Sequence, residues 1–169
     1  PFMPETHACN MRPEQGDVPI ATLNLDPIDF GFLTATRYFC LSFSEPQHHA
    51  WVTIFLASNN LFPDPGSAEA LRRALAVVHE MRLTRRSMFR FSNPRCQVCS
   101  GIVTHDERHL VQLIQATRRG KRSQAAPSAL LLTEGNDTDR VLAAADDFAL
   151  GFKVSDVPEC EALHQATHG

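Results

Sequence analysis

The sequence has no run of about 18 apolar residues, the length a membrane-crossing helix needs; its most apolar stretches are broken, as at 50–57 by Thr53. A Gly-rich phosphate loop, a Gly-x-Ser-x-Gly elbow and a His-Glu-x-x-His motif are all missing, which removes the commonest signatures of nucleotide, hydrolase and zinc-protease chemistry. The first seventeen residues carry Pro1, Pro4 and Pro13 among polar side chains, without the positive-then-apolar order of a secretory leader. Cysteine is sparse and odd in number: Cys9, Cys40, Cys96, Cys99 and Cys160. That is not the even set of a disulfide scaffold and points to a reducing, cytoplasmic setting.

What is present suits one domain. At 169 residues, 43% hydrophobic and 21% charged, the chain can build a sizeable core. Its net charge of −3 is unevenly spread: residues 67–122 hold twelve Lys or Arg against four Asp or Glu, and the remainder four against fifteen. A surplus of positive charge, nearly all arginine, suits either internal ion pairing or an acidic partner.

Six helical stretches can be read along the chain. Asp26-Pro27-Ile28-Asp29 has the cap, first-turn proline and acid of a helix start, and Ile28, Phe32, Ala35, Phe39 and Phe43 follow near one face. The end of that stretch, 38–43, also alternates as a strand does, but the start signal favours helix. Ser44-Glu45-Pro46-Gln47 has the form of a capping box for a second helix through Trp51, Ile54, Phe55 and Ser58. A third runs over 67–86. Thr104-His105-Asp106-Glu107 is the strongest start in the chain, its helix ending near Gly120. The fifth spans about 123–134, and the sixth starts at Asn136 or Asp137 and ends at Gly151. Val18 to Leu25 alternates weakly, as a short strand would. The prediction is therefore an all-α fold, an irregular bundle of about five to six helices over 26–152. An extended arm precedes it at 1–25, and a loosely attached tail follows at 153–169. The six aromatics Phe30, Phe32, Phe39, Phe43, Trp51 and Phe55 read as core.

The order of a Trp51 helix, an arginine-bearing third helix, a Cys96-x-x-Cys99 loop, the Thr104-x-Asp106-Glu107 cap and two alanine-rich helices resembles a family of small all-helical bacterial proteins. The resemblance covers about residues 26–152. It implies the fold and a bacterial cell, and brings no activity with it.

Chemistry concentrates around Cys96 and Cys99. Two thiols one turn apart suit two bonds to one metal ion, or a disulfide that opens and closes. His105 and His109 share a face of the next helix, so Cys96, Cys99, His105 and His109 are the candidate ligands of a structural zinc, with Cys40, His48 and His49 as substitutes. Arg82, Arg85, Arg86, Arg118, Arg119, Lys121 and Arg122 are candidate contacts for an acidic protein or nucleic acid. They also lie near helix C-termini, where positive charge complements the dipole. The leading expectation is a binding or regulatory module, leaning away from an enzyme, with no membrane partner. The alternatives are a thiol redox or metal-dependent enzyme centred on Cys96 and Cys99, and a homo-oligomer joined through its first two helices.

Overall fold

The computed structural model describes residues 14–63 and 66–153, and over these the protein is all-α with one minimal sheet. Residues 1–13 of the expected arm, and all of the expected tail but Lys153, lie outside the described residues. Five longer helices carry the core: α1 (Pro27–Ser44), α4 (Ser67–Thr84), α6 (His105–Arg118), α7 (Arg122–Leu132) and α8 (Thr138–Leu150). Three short ones, α2 (Ala50–Leu56), α3 (Ser58–Leu61) and α5 (Gln97–Ser100), fill the connections.

The start signals with local logic behave as the sequence implies. Asp26 accepts the Asp29 N–H at 2.8 Å, with Pro27 at the first helical position. Thr104 and Glu107 close a complete capping box on α6. The expected box at Ser44 does not form. Ser44 is still helical, its hydroxyl donating to Leu41 O at 3.2 Å, and a cap residue must leave helical geometry. Pro46–His48 instead make a 3-10 turn, and α2 starts after His49 in the left-handed conformation, φ 46°. The second helix also breaks at Ala57, into α2 and α3.

Helix α4 packs between α1 and α8, while α6 packs on α7, α8 and α1. The core at their junction holds Phe32, Phe39, Phe62, Leu71, Met81, Leu113 and Phe148, all buried. Only part of the aromatic set expected there is inside. Phe32 and Phe39 are buried, whereas Phe30, Phe43, Trp51 and Phe55 stand 38–50% exposed. Apolar spacing marks a face, but α2 is too short to cover both its own aromatics and the end of α1.

The stretch before α1 is anchored. Strand β1 (Val18–Pro19) pairs antiparallel with β2 (Ile102–Val103), and Val18, Ile20, Leu23 and Leu25 close a second small core over Leu33, Val103 and Val111. Two ion-pair groups then staple α1 antiparallel to α6. At one end, the Arg118 guanidinium pairs with Asp26 and Asp29. Nearer the other, Arg37 grips Glu107 through two bonds of 2.8 and 3.0 Å, and neither is more than 4% exposed.

A candidate binding groove beside alpha 1 and alpha 4

Helix α4 ends where Thr84 turns its hydroxyl back to Glu80 O and Met81 O, at 3.0 and 2.9 Å. Arg85 is then extended, and residues 85–92 run irregularly across the bundle. Three carboxylates from other elements hold them. Glu134 accepts the Arg86 N–H at 2.8 Å and the Ser87 N–H at 3.1 Å. Asp106 accepts the Arg90 N–H at 2.9 Å, and Glu107 the Ser92 N–H at 3.1 Å. A carboxylate binding several N–H groups is a strong anchor, so this loop has a set shape.

Between that loop and the ends of α1 and α4 lies a groove of about 250 Å³. Phe43, Met88, Phe89 and Phe91 make it mainly apolar, and Arg82 and Arg85 bring positive charge. The two arginines differ. Arg85 is committed: its guanidinium donates to Asp106 at 3.1 Å and to Leu132 O at 3.1 Å, and its side chain is 7% exposed. Arg82 is exposed and lies 3.7 Å above the Phe43 ring centre; it has no carboxylate partner among the described residues. Stacking on a ring occupies the guanidinium face and leaves its N–H edge free. Cys40 closes the floor. Burial first, then the charge of Glu107, push its thiol up to about 12, so it is a packed neutral group there and not a nucleophile.

The cysteine and histidine pairs fall in two places. Cys96 caps α5, its Sγ accepting the Cys99 N–H at 3.4 Å; Cys96 is half-buried and Cys99 buried. His105 and His109 meet on the first turn of α6, Nε2 to Nε2 at 3.2 Å. Burial, then the neighbouring His105, lower the pKa of His109. Among the described residues no group of three or more His, Cys, Asp or Glu is arranged to hold a metal ion, so the four candidate ligands are two separate pairs. Cys40 is taken up in the groove floor.

The basic candidates divide as well. Arg118 is 5% exposed and spent on Asp26, Asp29 and Phe152 O. Burial works against its charge, but the two aspartates raise its pKa. Arg118 and Arg85 are therefore internal anchors and not parts of an outer face. Arg122 pairs with Asp146 at 3.1 Å on the surface. Arg82, Arg86, Arg119 and Lys121 remain exposed, but not as one patch. Arg85 brings the end of α4 to Asp106, at the start of α6, whereas Arg119 follows the other end of that helix, roughly 20 Å away for its length.

The groove itself was not legible as a site. Its loop is shaped by Asp106, Glu107 and Glu134, distant in sequence, and no local pattern announces them. Arg37 did carry a signal, as the lone cation of a helix whose only other charged residue is Asp29 in its first turn. Comparison with protein-family models, with curated proteins and with solved structures finds no match.

Proposed function

We propose that the chain is a binding module that takes an acidic, amphipathic segment of another protein in the groove beside α1 and α4. Arg82 supports this most directly: an exposed guanidinium with no carboxylate partner among the described residues, held over Phe43 at 3.7 Å, beside an apolar groove of about 250 Å³. Charge complementarity selects a carboxylate, and an aromatic or aliphatic neighbour on the same segment would fill the space against Met88, Phe89 and Phe91. A planar guanidinium binds a carboxylate through two parallel bonds, and the set shape of the loop lowers the ordering cost of association.

Fluorescence anisotropy with short labelled peptides tests the reading. Peptides that place Asp or Glu beside Phe or Leu should bind, and binding should weaken as salt rises. Arg82→Gln should weaken it roughly ten- to a hundredfold, in keeping with the ~1.5–3 kcal/mol of a hydrogen bond to a charged group. Equal affinity for peptides carrying Asn and Gln instead, or no change in Arg82→Gln, would overturn it.

The redox alternative draws less support. Cys40 is buried and protonated, and of the Cys96 pair only Cys96 is partly open to solvent.

A further inference from the structure

We infer that His105 and His109 together chelate one divalent transition-metal ion, such as zinc, through their Nε2 atoms, with the remaining coordination positions open to water. The site is independent of the groove, and either proposal can fail without the other.

The distance carries the inference. Two imidazole nitrogens bound to one zinc at 2.0–2.1 Å in tetrahedral geometry lie roughly 3.3 Å apart; here Nε2 and Nε2 are separated by 3.2 Å, with the rings at 83°. Without a metal, one ring must donate a proton to the other across that gap. With one, both lone pairs turn to the ion and the rings need move little.

The surroundings hold the pair in place. The i, i+4 spacing sets both rings on one face of α6, and the Thr104–Glu107 capping box fixes its first turn. From the preceding arm, Asp17 accepts the His105 N–H at 3.2 Å. Gly16 packs so closely that a Cβ there would lie 2.8 Å from His105 Cδ2, so the His105 ring is confined on that side. The facing charges are mixed. Asp17 is bound to Arg90, Asp106 to Arg85, and Arg108 donates to Gly16 O at 3.0 Å. Glu14 lines the same cleft as His105, but no third side chain is in place as a ligand among the described residues. The positive end of α6 opposes any cation, and it is the two imidazole nitrogens that select a borderline metal over calcium or magnesium, whose ligands are oxygens.

Isothermal titration of zinc chloride into the full chain, cleared of metal beforehand, should show one ion per molecule. His105→Gln and His109→Gln should each abolish it, while the Cys96→Ser, Cys99→Ser double variant should bind as the parent does. Copper(II) in place of zinc should give an electron paramagnetic resonance spectrum with two nitrogen ligands. Circular dichroism and the unfolding midpoint in EDTA confirm that each variant is folded. Absence of binding would overturn the inference. So would binding that survives either histidine substitution, since the metal would then sit on other side chains, and so would loss of binding in the cysteine variant.

Discussion

Glu107 performs three tasks with one carboxylate. It accepts the Thr104 N–H at 2.9 Å and the Ser92 N–H at 3.1 Å, and it neutralises Arg37. Arg37 in turn donates to Ser100 O at 2.8 Å and Ile102 O at 2.6 Å. A buried pair adds little when an apolar pair of the same shape is the alternative, but losing one partner strands the other. Glu107→Gln should therefore cost about 3–5 kcal/mol in urea unfolding. Replacing both residues with leucine should not restore the loss, because the backbone of Thr104, Ser92 and Ser100 loses hydrogen bonds with them, Ile102 O alone keeping the Ser92 hydroxyl at 2.7 Å. Asp17 gives the pH dependence at the same scale. Burial alone would raise its pKa, but hydrogen bonds from Arg90 and Glu14 and the Arg90 charge hold it below the ordinary 3.8. The folded state then releases its proton at a lower pH than the unfolded chain does. The stabilisation is complete above the unfolded value and is lost as pH falls through the folded one. Asp26, whose burial is outweighed by Arg118, shifts the same way. The share of the unfolding free energy that these two carboxylates supply should stay level from neutrality to about pH 5 and decline below about pH 4. His109, its pKa lowered from 6.5, adds a separate loss that begins as pH falls through that ordinary histidine value. Asp17→Asn should lie beneath the parent at pH 7 and converge on it in acid; a constant gap would show that Asp17 acts through packing alone.

Among the elements, what the sequence made legible follows from how local the cause is. The Thr104–Glu107 box and the Asp26 cap need only residues within one turn, and both form as read. Ser44-x-x-Gln47 has equally good local chemistry and fails. Cys40 and Leu41, one turn before it, are buried and keep α1 helical through Ser44. Gly31 shows the same limit from the other side. Within α1 an alanine should be preferred by about 1 kcal/mol. The backbone of α3 stands in the way, since a Cβ at that position would lie 2.5 Å from Leu61 O. Gly31→Ala should thus destabilise by about 1–3 kcal/mol, the usual cost of overpacking, measured by thermal unfolding. A gain in stability would mean that α3 can move aside freely.

At the scale of the whole molecule, the uneven charge of the sequence turns out to be an assembly pattern. Of the twelve basic residues within 67–122, Arg72, Arg73, Arg85, Arg90, Arg118 and Arg122 meet carboxylates. Most of those acids come from the flanks: Asp17, Asp26, Asp29, Glu134, Asp146 and Asp147. The sequence shows the imbalance but not the pairing, because partners such as Asp29 and Arg118 lie 89 residues apart and only the packing of α1 on α6 joins them. Helix α8 does the same along α4, where Asp147 approaches Arg72 at 3.5 Å and Arg73 at 3.7 Å, and at the start of α7, where Asp146 holds Arg122 at 3.1 Å. These pairs are exposed, and such pairs add little to stability; their larger effect is on the field that a polyanion meets. Asp146→Asn with Asp147→Asn should leave the unfolding midpoint nearly unchanged while delaying elution from heparin to higher salt. Arg122 loses its carboxylate, and Arg72 and Arg73 keep only that of Glu69 among the described residues, which adds contacts to heparin sulfates that salt must displace. Identical elution of parent and variant would show that α8 does not screen the basic segment.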